Sequence, residues 1–204
     1  MNTMRQFLCI FLLFFLFSSN SFSEEFNWGV NFSALYTLPN IDFQSRNEVE
    51  ADPQIGGSAG FVAEMLLGKS VSWSVESGVL LDFVRFSMKG RNNGKKQNHT
   101  LTAISVPVII KRLFPLDKNR SISFGLGGNF LHFNEDEVCD IVLKKNSVSP
   151  LADIDFSFYD FRISAAYELG VMDLMDENAS KNKIYRNARF KTSNIRLGIT
   201  WFFL

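Results

Sequence analysis

Histidine, cysteine and net charge are all scarce in this chain, and each shortage limits what the protein can do. The 204 residues include only two His and two Cys, and 21 basic side chains balance 21 acidic ones. A balanced charge gives no electrostatic basis for binding nucleic acid. No cofactor motif is present, so we expect no cofactor.

Long apolar runs are also missing, apart from one at the start. Residues 1–23 are typical of a signal peptide: Arg5 is followed by the apolar run Phe7–Phe17 and by the small-x-small sequence Ser21–Ser23. The run is too short to span a bilayer, so a cleaved signal is favoured over an anchor. Residues 24–204 then form one domain, which contains no run long enough for a transmembrane helix.

Cleavage would remove Cys9 and leave Cys139 as the lone cysteine. A single cysteine cannot form an internal disulfide, so in an exported protein Cys139 is either buried or a free thiol. We favour the inert, structural alternative.

Aromatic residues, in contrast, are abundant, and they recur at every second position. The chain has 22 Phe, and its last stretch, Thr192–Leu204, places Ile195, Leu197, Ile199 and Trp201 on one face of a strand. An apolar strand with an unpaired edge promotes aggregation. Closure of the sheet into a barrel removes that edge.

The same alternation predicts an eight-stranded antiparallel up-and-down transmembrane β-barrel. An even number of strands brings both ends of a bacterial barrel to the same side. If residues 152–171 formed one long strand instead of two separated by a turn at Tyr159–Asp160, the count would be seven. The predicted strands are Phe26–Tyr36, Gly57–Leu67, Val71–Phe86, His99–Arg112, Ser121–Phe133, Ala152–Phe158, Phe161–Val171 and Thr192–Leu204.

Loop lengths and face composition favour an outer-membrane barrel over a soluble one. Long gaps alternate with short ones, as in outer-membrane proteins. The polar faces are mostly Gly, Ser and Asn, which suit the narrow interior of eight strands, whereas a soluble ligand-binding barrel would carry Lys and Glu there. The predicted long loops are Thr37–Gly56, Ser87–Asn98, Asn134–Leu151 and Met172–Lys191.

The polar faces also carry charges that we expect to line the lumen. Buried charges need partners, so a salt-bridge plug is favoured over a selectivity lining for a pore. The predicted lumen residues are Glu64, Glu76, Asp82, Lys111, Arg162, Glu168 and Arg196.

Candidates for catalysis are few. His132 lies near Asn134, Glu135 and Asp136, which could orient it as a general base, and His99 is the other histidine. No Ser has a spacing that supports a nucleophile, so no catalytic residue is assigned and an ordinary rim histidine is favoured.

An acidic cluster and two charged loops complete the survey. The cluster at Glu135, Asp136, Glu137 and Asp140 matches no EF-hand spacing, so no metal site is assigned. The loop around Ser87–Gln97 is basic and the loop Thr37–Gly56 is acidic. These loops could hold each other, or bind a partner or anionic lipid. A solvated and variable loop is the more common case.

Several short motifs make the chain similar to the PorT-type outer-membrane β-barrel family (OMP_b-brl_2-like), whose members are eight-stranded barrels. In chain order they are Gly29-Val30-Asn31, Ser77–Gly90 with its final Lys89-Gly90, Leu101–Lys111 with Ile104–Pro107, Gly127-Gly128, Tyr167–Gly170 and the terminal aromatic strand. The chain departs from the family at Leu204, where a terminal aromatic is usual. The resemblance implies an outer-membrane location but no single activity.

These observations predict an integral outer-membrane barrel, without catalysis, that has a structural, envelope-machinery or surface-binding role. The expected partners are outer-membrane lipids, the barrel-assembly machinery during insertion and an envelope or surface protein. The alternatives are an outer-membrane enzyme with a site at the loop rim and, less favoured, a soluble ligand-binding barrel.

Overall fold

The computed structural model of the chain describes residues 26–42, 49–67, 72–90, 96–134, 137–138, 141–174 and 189–203. The predicted signal peptide, Cys9 and Cys139 lie outside these residues, so their assignments stay predictions. None of the described residues forms a helix that is long and apolar enough to cross a membrane.

The described residues form ten strands: β1 Phe26–Asp42, β2 Val49–Leu67, β3 Trp73–Gly90, β4 Lys96–Pro115, β5 Arg120–Phe133, β6 Glu137–Val138, β7 Ile141–Val142, β8 Asn146–Phe158, β9 Phe161–Glu168 and β10 Arg189–Phe203. Eight of them form a closed antiparallel barrel in the order β1-β10-β9-β8-β5-β4-β3-β2, and β6 and β7 form a separate two-stranded sheet. The predicted fold and the turn at Tyr159–Asp160 are therefore confirmed.

The first and last strands close the barrel. β1 pairs with β10 from Trp28 opposite Phe203 to Asp42 opposite Arg189. Because of this closure, β1 and β10 each have a hydrogen-bonded strand on both sides. A sheet in lipid requires such pairing, because hydrocarbon cannot satisfy a free N–H or C=O group. The turns Leu116–Asn119 and Tyr159–Asp160 lie at the same end as Phe26 and Phe203, and we call this the turn end.

The strands are longer at the opposite end, the loop end, than the sequence predicts. β1 continues from Tyr36 to Asp42 and β2 begins at Val49, so the expected long loop Thr37–Gly56 is wrong over most of its length. The loop predicted at Ser87–Asn98 is likewise mostly strand. The predicted strand Ala152–Phe158 begins earlier, at Asn146, so the end of the predicted loop Asn134–Leu151 is also strand. In addition, β3 begins at Trp73 and β9 ends at Glu168.

Outward-facing apolar side chains form a belt around the barrel. On β3 the exposed residues Trp73, Val79, Leu81 and Phe83 face outward, while Asp82 between them is fully buried. At about 3.3 Å per residue and a tilt of about 40°, the segment Trp73–Phe83 has a height of about 25 Å, which matches the apolar band of a transmembrane barrel.

Aromatic side chains concentrate in this belt at the turn end. Several rings are neighbours across strands: the centroid of Phe161 lies 6.5 Å from that of Trp201 and 5.8 Å from that of Phe158. An aromatic girdle of this kind is typical of a membrane–water interface. Its exposed members are Trp28, Trp73, Phe114, Phe124, Phe156, Phe161, Trp201 and Phe203.

Beyond Phe83 the polarity of β3 reverses. Arg85 and Lys89 are exposed, while Val84, Phe86 and Met88 point inward and are buried. At the loop end, an apolar core therefore fills the inside of the barrel, and the outer surface of the barrel wall is polar and suits water. This core contains Val84, Phe86, Met88, Leu101, Ala103, Leu131, Phe133, Leu143, Leu174 and Phe190.

Two connecting segments complete the apolar core. Leu143 and Leu174 lie outside the strands, and their side chains are almost fully buried. Backbone hydrogen bonds hold both segments: Lys144 N donates to Leu174 O at 2.7 Å, and Leu174 N donates to Phe190 O at 2.8 Å. The alternation that predicts the belt carries no signal for this arrangement.

The reversal predicts unequal effects of two phenylalanine substitutions. Phe86→Ala should cost about 3–5 kcal/mol of unfolding free energy, because it leaves a cavity in the apolar core. Phe83→Ala should cost less, because the Phe83 ring is 41% exposed and lipid or detergent tails can fill its place. Urea unfolding in phospholipid vesicles, followed by tryptophan fluorescence, measures both losses. Equal losses would contradict the inward packing of Phe86.

Candidate functional site in the barrel lumen

The structure places all seven predicted lumen charges inside the barrel. None is more than 8% exposed, and Asp82 and Glu168 are fully buried. They come from five strands, because every second residue of each strand points inward. The seven side chains divide into two ion-paired clusters, one toward the turn end and one toward the loop end.

The cluster toward the turn end is organised by two basic side chains. The Arg162 guanidinium on β9 pairs with both Glu64 on β2 and Glu76 on β3. Lys111 on β4 lies 3.0 Å from Glu76 Oε2 and 2.7 Å from Asp155 Oδ2. Glu76 is shared by both bases, so the cluster ties together strands on opposite sides of the lumen.

Two carboxylates in this cluster are missing from the sequence prediction. Asp153 and Asp155 on β8 point into the lumen, each within ion-pair distance of Lys111. The sequence pattern could have predicted their inward direction, since they alternate with Ala152, Ile154 and Phe156 in the shortest predicted strand.

The cluster toward the loop end is centred on Arg196 of β10. Its Nη2 lies 2.9 Å from Asp82 Oδ2 and 2.8 Å from Glu168 Oε1, and its Nη1 donates to Ser58 Oγ at 2.7 Å. A guanidinium suits this position because its five N–H groups can serve several acceptors at once.

Neutral donors add hydrogen bonds to carboxylates that already pair with a basic side chain. The buried charged set has three basic and six acidic residues. Hydroxyl groups donate to three of the acids: Ser58 to Asp82 at 2.6 Å, Ser74 to Glu64 at 2.7 Å and Ser123 to Asp155 at 2.9 Å. Small polar residues on the inner face thus solvate charges that cannot reach water.

Little space remains between the two clusters. A cavity of about 40 Å³ adjoins Glu76, Asp153, Asp155 and Arg196. The Oδ1 atoms of Asp153 and Asp155 have no protein partner, and a cavity of this size holds about one water that could serve them. In the described part of the barrel, the side chains thus form a plug at this level.

The two histidines lie in different settings near the loop end. His132 shares a hydrogen bond of 2.8 Å between its Nδ1 and Asn146 Oδ1, on the neighbouring strand. His99 packs near Phe86, with ring centroids 5.9 Å apart, and partial burial lowers the pKa of His99.

Only some of the other residues considered for metal binding or catalysis lie within the described ranges. Glu135, Asp136 and Asp140 lie outside the described residues. In the described segments, no three His, Cys, Asp or Glu side chains are grouped so that they could hold a metal ion.

The oppositely charged segments that were predicted as loops contact each other where they form parts of β2 and β4 near the loop end. Lys96 Nζ lies 2.8 Å from Asp52 Oδ2, and both side chains are about half exposed. The hydrogen bond from Lys96 lowers the pKa of Asp52. Of the two roles expected for these loops, mutual pairing is observed at this position.

The fold is similar to that of solved outer-membrane proteins. OprG from Pseudomonas aeruginosa matches 87% of this chain and 95% of its own, with 13% sequence identity and a TM-score of 0.58. Ail, the attachment invasion locus protein of Yersinia pestis, matches 88% of this chain and 99% of its own, with 12% identity and a TM-score of 0.44. No protein-family model and no curated protein matches the chain. The likeness to OprG shows that this is an outer-membrane β-barrel fold.

The ion pairs predict a large cost for removing their central arginine. Arg162→Met should lower the unfolding free energy by about 3–5 kcal/mol, because Glu64 would be left as an uncompensated buried charge and Glu76 would keep only Lys111 as a basic partner. Adding Glu64→Gln and Glu76→Gln should recover part of the loss, since the repulsion disappears. Urea unfolding in vesicles measures the unfolding free energy of each variant in this mutant cycle. Arg85→Met, at an exposed arginine, serves as the control. Additive losses would show that Arg162 acts independently of the two glutamates.

At the turn end, Asp117 offers a test by titration. Arg120 Nε donates to Asp117 Oδ2 at 2.6 Å and Asn119 N donates to Asp117 Oδ1 at 2.9 Å, and these hydrogen bonds lower the pKa of Asp117. Such a carboxylate stabilises the turn above its unfolded pKa, and the contribution is lost as pH falls through the folded pKa. Arg120→Gln should therefore raise the pKa of Asp117 toward the usual 3.8, as measured by carboxyl-carbon NMR in micelles. Lys118→Gln should leave it nearly unchanged.

Proposed function

We propose that this protein is an integral outer-membrane barrel whose lumen is closed and whose role is structural or binding, without catalysis. The observation that carries the proposal is the combination of an apolar outer belt with an ion-paired interior. A surface that suits lipid anchors the barrel, while a filled lumen leaves no path for solutes through its centre.

Three features support the location in the outer membrane. The belt is about as tall as the apolar band of a transmembrane barrel. Exposed Trp and Phe residues concentrate at the turn end, as expected at an interface. Short turns at one end, with longer connections at the other between β5 and β8 and between β9 and β10, are typical of barrels with the turns in the periplasm. The turn end therefore faces the periplasm and the loop end faces the exterior.

The closed lumen is supported by the two charge clusters and the apolar core above them. Eight strands enclose an interior that side chains can fill. Here Lys111, Arg162 and Arg196 cross the lumen to acids on other strands. Leu143 and Leu174 then close the apolar core at the loop end. Transport through the centre would require both layers to open.

The binding role rests on the part of the barrel beyond the belt. β3 and β4 are 18 and 20 residues long, more than the belt requires, and they carry polar side chains such as Arg85 and Lys89 on their outer face. The apolar core packs inside this extension and makes it a firm support for a partner, which we propose to be an envelope or surface protein. The resemblance to PorT-type barrels favours an envelope-machinery role, and the barrel-assembly machinery would insert the chain.

Membrane fractionation combined with conductance tests this proposal. The full chain should fractionate with the outer membrane, and an unboiled sample should migrate faster on a denaturing gel than a boiled one. The purified protein should give no steady current in planar bilayers in which a reference porin conducts. Steady currents of large step size would overturn the closed lumen. A soluble periplasmic protein without a heat-dependent shift would overturn the membrane location.

A further inference from the structure

One cation on the outer wall lacks an acidic partner. Arg112 on β4 alternates with the buried Lys111, so its side chain points outward in the belt, where it is half-buried. Among the described residues, no carboxylate lies within ion-pair distance of Arg112. A charge on a lipid-facing wall is unfavourable unless it reaches the interface or a counter-charge.

Aromatic rings hold the Arg112 guanidinium at the level of the girdle. Its central carbon lies 5.0 Å from the centroid of the Trp73 ring and 5.9 Å from that of Phe114. Phe124 is the cross-strand neighbour of Arg112, and its ring lies 5.9 Å from that of Phe114. These contacts orient the planar group and leave its N–H donors available, because a ring face accepts a cation without accepting all of its hydrogen bonds.

The surroundings of Arg112 differ from those of nearby cations. Arg120, the first residue of β5, has a counter-ion in Asp117, whose Oδ2 lies 2.5 Å from Arg120 Nη2. Lys118 is exposed in the same turn as Asp117. Arg85 lies at the other edge of the belt. In the described part of the wall, Arg112 is thus the cation that aromatic rings hold at the turn end of the belt and that has no carboxylate within ion-pair distance.

We propose that Arg112, together with Trp73 and Phe114, binds the phosphodiester group of a glycerophospholipid in the periplasmic leaflet. A guanidinium matches a phosphate oxygen pair with two parallel hydrogen bonds. The aromatic girdle places it where lipid headgroups meet the acyl chains, and the exposed apolar wall toward Ile110 is available to the acyl chains. The inference rests on the proposed membrane location, which sets the turn end in the periplasm.

Native mass spectrometry of the full chain, released from detergent micelles, tests the site. The delipidated protein is titrated with phosphatidylglycerol or with diacylglycerol of the same acyl chains. We expect one tightly retained phosphatidylglycerol per barrel and binding of diacylglycerol weaker by about tenfold to a hundredfold, the range for a charge-assisted hydrogen bond. Millimolar inorganic phosphate should not displace the lipid, because a free ion lacks the acyl-chain contacts.

Variants locate the binding to Arg112. Arg112→Gln should lose the preference for phosphatidylglycerol, and Arg112→Lys should keep part of it, because the charge remains without the planar fork. The matched control Arg120→Gln should bind as the wild type does. Equal retention of both lipids by the wild type, or an unchanged preference in a folded Arg112→Gln variant, would overturn the proposal. The heat-dependent gel shift of each variant reports folding, so a folded wild-type barrel without the preference refutes the lipid site and leaves the membrane location standing.

Discussion

The backbone hydrogen bonds of the sheet are the constraint on which the rest of this structure depends. Hydrocarbon offers no partner to an N–H or C=O group, so strands that cross a bilayer must pair on both sides. The pairing of β1 with β10 meets this requirement by closing the sheet. Closure then decides which side chains face outward and which share a narrow interior, because neighbouring residues of a strand alternate between the two faces.

The narrow interior explains the chemistry of the lumen. Three bases and six acids cannot reach bulk water there, and each unpaired charge would be costly. The fold meets this cost by sharing: Arg162 pairs with two glutamates, and Arg196 pairs with Asp82 and Glu168. Serine hydroxyls donate further hydrogen bonds to Glu64 and Asp155. A lumen filled in this way cannot also be a wide channel, so the surfaces that remain for function are the two rims and the outer wall.

The barrel changes character along its axis. Within the belt it is apolar outside and polar inside, whereas beyond Phe83 it is polar outside around an apolar core that includes Phe86 and Phe190. The first arrangement suits lipid and the second suits water, since each places its apolar surface away from water. The boundary between them therefore marks one edge of the apolar belt, and the aromatic girdle with Arg112 marks the other edge.

The sequence by itself determined the class of fold, the number of barrel strands and the inward direction of the seven predicted lumen charges, such as Glu64 and Arg162. The reason is that strand periodicity is local and has a period of two. It did not reveal the apolar core at the loop end. Val84 and Phe86, which point inward, are as apolar as the outward-facing Phe83, so the sequence does not show where the apolar face changes sides. Only the tertiary structure decided which acid meets which base, and that Asp153 and Asp155 join Lys111. The physical reason is that these contacts cross the lumen between strands far apart in the chain, and their partners are set by the register of the closed sheet.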